Sequence, residues 1–224
     1  LEDAVETTGR DWNHESTRDR IFSTAKRLFA RDGFAPTSIR DITEEAGVNV
    51  AAVNYHFGGK ENLYLEILSE RAKFWRLARM EAVSGALEGI DDPREALETG
   101  IRAFVRFNLS SFVSNEDFAE DRSLFFREIS SPGLGFEIMM QELVTPTRQA
   151  IHELLAGAVP DITQESSFLV VSSIIGQMTH FVRSRKVVTA SLGREYDAEL
   201  IDKICNHIVA FSMGGLRAYG VESK

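Results

Sequence analysis

The sequence predicts an all-α protein in which a short N-terminal three-helix block precedes a larger helical body. Three observations lead there. Apolar residues recur at helical spacing through most of the chain, and glycines and prolines fall between those stretches. No run alternates with period two under β-branched enrichment for long enough to demand a strand; 186–190 comes nearest and is short.

Residues 1–14 lack apolar periodicity and read as a disordered arm. From Ser16 the pattern turns helical, with Ile21, Phe22, Ala25, Leu28 and Phe29 on one stripe. Ser16 or Thr17 can cap its start, and Asp32-Gly33 supplies a stop. The first helix should therefore bring Phe22, Leu28 and Phe29 to a small core. Pro36-Thr37-Ser38 opens a second helix with Ile39, Ile42 and Ala46 on its buried side, and Gly47 breaks it. Asn49 caps a third, in which Val50, Val53 and Phe57 are the apolar positions, and Gly58-Gly59 ends it. A long helix then runs from Lys60 to about Val83.

The body continues helix after helix, for about nine or ten in all. Pro93 suits a first turn, and 93–113 carries Leu97, Ile101, Phe104, Val105 and Leu109. A helix over 117–129 stops at Ser131-Pro132-Gly133, and one over 134–157 should kink or restart at Pro146. Two long apolar helices, 164–186 and 196–219, close the chain. The expected domains are thus the arm 1–14, a helix-turn-helix domain 15–62 and a helical domain 63–224.

Composition removes several classes. With 224 residues, 43% hydrophobic and 26% charged, the chain is ordinary globular material, and 16 glycines and 5 prolines are too few for a collagenous chain. One cysteine, Cys205, forms neither an intrachain disulfide nor a multi-cysteine zinc site and suits a reducing, cytoplasmic setting. No uncharged stretch approaches the roughly 20 apolar residues that span a bilayer, and Leu1-Glu2-Asp3-Ala4 has neither the basic region nor the apolar core of a signal peptide. The histidines are scattered, and no HExxH, GxSxG, P-loop or GxGxxG in a βαβ setting occurs, so no catalysis, metal or cofactor is expected. The net charge of −9 argues against non-specific nucleic-acid binding by the whole surface. It is unevenly spread, however: 10–60 is near +1, and everything else carries −10.

Two short helices around Gly47, with a third as a wall, form the layout of a helix-turn-helix, whose second helix fits a major groove roughly 12 Å wide. Gly47 tolerates a left-handed backbone, Ala46 lets the helices cross closely, and Val48 plugs the angle. The runs Gly33-Phe34-Ala35-Pro36-Thr37-Ser38-Ile39-Arg40-Asp41-Ile42, Ala46-Gly47-Val48-Asn49 and Tyr55-His56-Phe57-Gly58-Gly59-Lys60-Glu61-Asn62-Leu63 resemble the TetR/AcrR family of bacterial transcriptional repressors. More loosely, Leu124-Phe125-Phe126-Arg127-Glu128-Ile129-Ser130-Ser131-Pro132 resembles the regulatory domain of its CecR-like branch.

The resemblance implies a homodimeric, ligand-responsive repressor of a palindromic double-stranded DNA operator. Thr37 and Ser38 would cap the second helix and donate to a phosphate. Arg40 would reach a base or phosphate, Val50, Ala51 and Ala52 would touch bases, Tyr55 and His56 would lie near the backbone, and Lys60 would bind a phosphate. Asn49 stands where the family often has serine, and Asn54 where many members carry tyrosine. Since Val50, Ala51 and Ala52 offer apolar contact alone, specificity would lean on Arg40, Asn49, Asn54 and DNA shape. By periodicity alone Arg40 is a solvated surface cation and His56 a helix-end histidine packed on Phe57.

In the body, fifteen phenylalanines are many for this length. The series Phe104, Phe107, Phe112, Phe118, Phe125, Phe126 and Phe136 is core by default but could line a pocket for a small apolar or aromatic ligand. Trp75, Phe104, Phe107, Phe126, Arg127, His152, Gln177 and His180 are the candidate ligand residues, each with a bland reading as a satisfied buried or surface group. Glycines and serines among the apolar positions of 164–186 and 196–219 would let these helices pair across a two-fold axis, although both could equally be core helices of a monomer. A ligand in the body would act on DNA through the long helix from Lys60. Two other readings stay open: an activator or ligand-insensitive regulator, and an all-α small-molecule-binding protein with a vestigial helix-turn-helix.

Overall fold

The computed structural model describes residues 16–111 and 116–221. The arm 1–14 and Phe112 lie outside the described residues. Those residues form helices and connecting turns, with no strand among them. The chain divides into two compact units between Ile67 and Leu68, five residues beyond the boundary expected at 62/63 and inside one helix.

In the N-terminal unit, α1 (Thr17–Asp32) starts at Ser16, whose hydroxyl accepts from the Asp19 N–H at 3.1 Å. Helix α2 (Ile39–Ala46) is followed by Gly47 and then by α3 (Val50–Phe57), and α4 (Lys60–Leu87) begins the next rod. Ile21, Leu28, Phe29, Ile42, Val53, Leu63, Tyr64 and Ile67 are all at most 2% exposed and form the core. Burying each such side chain contributes about 1.5–3 kcal/mol. Phe34 closes one side, with its ring 5.0 Å from Tyr64 and 6.0 Å from Phe29. Phe22, expected in that wall, is only half-buried because it sits at the margin of the α1 stripe.

The C-terminal unit takes over α4 at Leu68. It adds α5 (Pro93–Ser110), α6 (Glu116–Ser130), α7 (Phe136–Met139), a π-turn (Met140–Val144), α8 (Thr145–Ala158), α9 (Gln164–Arg183), α10 (Arg185–Leu192) and α11 (Ala198–Leu216), with a closing 3-10 turn (Arg217–Tyr219). Helix α5 packs on α8 and α11, and α9 packs on both of those. Leu97, Ile101, Leu109, Leu155, Val171, Ile174, Ile204 and Ile208 are among the core they share. At Gly100 the α5–α8 approach is so close that a Cβ would lie 2.5 Å from Leu154 Cδ1.

Two irregularities interrupt the helices of this unit. Proline at 146 has no N–H for the Glu142 carbonyl, and its ring needs the space beside that carbonyl. The helix answers with the π-turn over Met140–Val144 and restarts at Thr145, with Pro146 in its first turn. The helix expected over 164–186 instead breaks at Ser184 (φ −95°, ψ 22°), and α10 restarts so that Val188 enters the core.

Buried Asp121 on α6 ties that helix to α4. It is 0% exposed and accepts from Arg71 Nε and Nη2 at 2.7–3.1 Å and from the Trp75 indole N–H at 2.8 Å. Removing it strands a partly buried guanidinium and an indole donor. Asp121→Ala should destabilise the protein by about 3 kcal/mol, read as a fall in the urea midpoint at unchanged slope.

Candidate nucleic-acid interface and ligand cavity

The interface begins with a capping box. Ser38 Oγ accepts from the Asp41 N–H at 3.1 Å, and the Asp41 carboxylate takes the Ser38 N–H at 2.8 Å and its hydroxyl at 2.7 Å. These bonds hold the Asp41 carboxyl below its ordinary range. Helix α2 ends in a Schellman turn: Gly47 adopts φ 65°, ψ 39°, its N–H reaches the Glu44 carbonyl, and Val48 N–H reaches the Thr43 carbonyl at 2.9 Å. Asn49 then caps α3 by accepting the Ala51 N–H at 2.9 Å.

Helix α3 is two-faced. Val53 (0% exposed) and Phe57 (6%) enter the core, Ala51 and Tyr55 stand on the opposite side, and Val50 and Asn54, on one flank, are also exposed. Tyr55 is 85% exposed and Val50 49%, an unusual display of apolar surface for an eight-residue helix. Ala52 and His56 flank this strip and are half-buried, with the His56 ring set between those of Tyr55 and Phe57. Arg40 and Ser38 are exposed on α2, and the Arg40 side chain makes no hydrogen bond or ion pair with the described residues. Nearby cations are otherwise committed: Arg27 to Glu45 at 2.5 Å, Arg31 to Asp32 at 2.7 Å, and Arg18 to Glu66.

Two sequence expectations change. Thr37 is 3% exposed, and its hydroxyl donates to the Gly33 carbonyl at 2.8 Å, so it locks the α1–α2 turn and the cap of α2 is Ser38 alone. Lys60 does not project as an unengaged cation. Its ammonium donates to the Phe34 carbonyl at 2.9 Å and the Thr37 carbonyl at 2.8 Å and sits 4.2 Å from the centroid of the Phe34 ring. With two of its three N–H groups spent, Lys60 pins the first turn of α4 to the loop before α2. Its loop acceptors are backbone carbonyls, which no sequence pattern identifies.

The second site is a cavity of about 170 Å³ inside the C-terminal unit. Its walls come from α4 (Trp75, Arg79), α5 (Phe104, Asn108), α6 (Arg122, Phe125, Phe126), the π-turn and α8 (Leu143, Val144, Thr147), and α9 (Ile175, Met178, Thr179, Val182). Trp75, Phe104 and Phe126 line it. The other candidates do not. Phe107 packs edge-on against Trp75 at 5.9 Å without reaching the cavity. Arg127 points elsewhere on α6, and His152 lies in a separate groove, its Nε2 2.9 Å from Gln164 Nε2. Gln177 bonds back to the Ser173 carbonyl at 3.4 Å, and His180 is exposed beside Phe181.

Arg79 is among the wall residues that the sequence did not single out. It donates to Thr147 Oγ1 at 2.9 Å and Asn108 Oδ1 at 3.1 Å, and its guanidinium lies 5.3 Å from the Phe104 centroid. Burial pushes its pKa down to about 10, so it remains a cation at neutral pH. The kink or restart expected at Pro146 appears here as the π-turn that carries Leu143 and Val144 of the wall.

A model for bacterial regulatory proteins of the tetR family matches residues 21–67, and one for the C-terminal domain of the HTH-type transcriptional dual regulator CecR matches residues 93–216. The chain is 24% identical over 211 residues to CecR of Shigella flexneri, covering 90% of this chain and 93% of that protein. It is 32% identical over 106 residues to the HTH-type transcriptional regulator LmrA of Bacillus subtilis, covering 47% of this chain and 52% of LmrA, about half its length. A putative transcriptional regulator from Saccharomonospora viridis, solved in complex with choline, superposes with a TM-score of 0.59 at 20% identity, covering 92% of this chain and 98% of that one; this likeness shows the fold.

Lys60→Ala should lower the stability of the N-terminal unit by about 2 kcal/mol, since two hydrogen bonds from a charged donor are lost. Arg40→Ala should change it by less than about 0.5 kcal/mol. Thermal melts of both variants check this, and equal melting temperatures would return Lys60 to the unengaged cations.

Proposed function

This chain belongs to the tetR family of bacterial regulatory proteins, with a C-terminal domain of the CecR type, and from that membership we propose that it is a homodimeric repressor whose grip on a palindromic operator is set by a small ligand. The family is one of transcriptional regulators, not enzymes. The observation that carries the proposal is the bare outer strip of α3, with Tyr55 85% exposed. A soluble domain gains nothing from holding such a strip in water, whereas a major groove covers it. Val50, Ala51 and Ala52 then press on thymine methyls and base edges, Asn54 and Tyr55 reach hydrogen-bonding edges or phosphates, and Arg40 approaches the groove wall. Ser38 and His56 add polar contacts at the rim. Lys60 acts mainly by fixing the turn that presents α2, with one N–H left for a phosphate. Acting on DNA places the protein in the cytoplasm. No described helix is long and apolar enough to cross a membrane.

Pairing of two copies follows from α9 and α11, which lie side by side with the rings of Phe181 and His207 6.3 Å apart. Leu169, Ser172, Ser173, Gly176 and His180 form one exposed stripe, and His207, Ala210, Phe211 and Gly214 form the other. Phe211 is 65% exposed. Nothing lies within 4 Å of a Cβ built at Gly176, Gly214 or Gly215, so a partner helix can approach closely there. A two-fold axis through this face makes a four-helix interface and sets the recognition helices about 34–36 Å apart, one turn of duplex. The cavity supplies the ligand response: a molecule that fits one separation of the two α3 helices better than another shifts the population toward it. Helix α4 is continuous from the N-terminal unit into the cavity wall and carries the coupling. A second reading, activation at some operators, is supported by the description of CecR as a dual regulator.

A gel shift against the DNA flanking its own gene tests the proposal. Binding at about 10⁻⁸ M or tighter at physiological salt is expected, and weak, sequence-blind association would refute it. Arg40→Ala should weaken binding to that DNA by roughly tenfold and to random DNA by less. Phe211→Glu should convert the dimer to monomer by light scattering and abolish tight binding, since it buries a charge in the proposed interface.

A further inference from the structure

The cavity's charge is at odds with that of the rest of the chain. The protein carries a net charge of −9, yet two arginines and no carboxylate stand among the described residues that line this chamber. Apolar side chains make most of the remaining wall, with Trp75, Phe104 and Phe126 presenting aromatic surface.

Within that wall Arg79 is charged, and no carboxylate of the described residues pairs with it. Its two acceptors, Thr147 Oγ1 and Asn108 Oδ1, are neutral, and its Nε is fully enclosed with no acceptor. Buried cations in proteins are normally paired, because desolvation otherwise costs several kcal/mol. The neighbouring carboxylates are already committed: Asp121 bridges Arg71 and Trp75, and Glu142 faces Arg76 at 3.5 Å and Lys73 at 3.6 Å. Burial pushes the Arg122 guanidinium below its ordinary range too, and nearby Arg185 adds to this by like-charge repulsion. Among the described residues the site is therefore short of one negative charge.

We propose that this cavity binds a small organic carboxylate with an apolar, ring-sized body, its carboxylate on Arg79 and its ring against Trp75, Phe104 and Phe126. The inference deepens the effector reading above and rests on it for its regulatory meaning. Size agrees, since an apolar cavity of roughly 150 Å³ is large enough for benzene and this one measures about 170 Å³. Charge also selects. A carboxylate supplies the missing partner through charge-assisted bonds to a planar donor fork, an isosteric amide leaves the guanidinium uncompensated, and a quaternary ammonium is repelled by Arg79. The choline held by the S. viridis protein is thus the wrong sign for this chamber.

The experiment uses the full chain with benzoate, benzamide and choline as probes, followed by isothermal titration and thermal shift. Benzoate is expected to bind at least tenfold more tightly than benzamide and to raise the melting temperature, with choline giving no shift. Arg79→Gln should bring benzoate down to the benzamide level while leaving benzamide unchanged, and Arg79→Lys, which keeps the charge but loses the fork, should fall between. The wild-type comparison decides the matter even if the variants do not fold. Benzamide or choline binding as tightly as benzoate, or no benzoate binding at millimolar concentration, overturns the proposal. A parallel gel shift separates the two readings: benzoate that binds but leaves operator affinity unchanged removes the effector role and keeps the carboxylate site.

Discussion

At Gly47 the chain takes φ 65° and ψ 39°, a left-handed conformation that costs roughly 1–2 kcal/mol in a residue bearing a Cβ, and the direction of α3 follows from it. The two Schellman hydrogen bonds close α2 there, Asn49 restarts the helix two residues later, and Ala46, 7% exposed, leaves room for the crossing. Once α3 leaves at that angle, Val53 and Phe57 fall into the core, Ala51 and Tyr55 point the other way, and Val50 and Asn54 stay exposed along one flank. The surface offered to a duplex is the remainder of a packing problem solved on the other side of the helix.

Cations show how the two units divide labour. On the N-terminal unit most basic side chains hold the scaffold: Arg27 and Arg31 pair with acids, and Lys60 is drawn onto two carbonyls and the face of Phe34. Arg40 keeps its charge outward. In the C-terminal unit the pairing of Arg71 with Asp121 fixes α4 against α6, while Arg79, two turns further along α4, is left with neutral partners at the cavity wall. A structural arginine and a cavity-facing arginine thus sit on one helix, and the difference between them is whether a carboxylate of the described residues reaches them.

Much of this was legible beforehand. The stripe Ile21, Ala25, Leu28, Phe29, the breaks at Gly33, Gly47 and Gly58, and the caps at Ser16, Ser38 and Asn49 all express local chemistry, and each appears where the sequence put it. The site was less legible. Thr37 has the residue type of a cap and phosphate donor, but the turn from Gly33 folds it inward. Lys60 has the position of a phosphate cation, but the loop supplies acceptors within reach. His152, Gln177 and His180 looked like ligand groups because they are polar residues among apolar ones; their helices turn them to other grooves or to solvent.

Composition and periodicity by themselves determined that the protein is helical and that a helix-turn-helix occupies its N-terminal part, because those properties depend on residues within a turn or two of each other; Val50, grouped with Val53 and Phe57 by its spacing, is exposed instead. Tertiary structure decided the rest. The cavity is assembled from five helices and a π-turn, with side chains as distant in sequence as Trp75 and Val182, and the pairing state of Arg79 depends on which of those helices brings an acid within hydrogen-bonding distance. Such facts are sums over long-range contacts, and no local pattern encodes them.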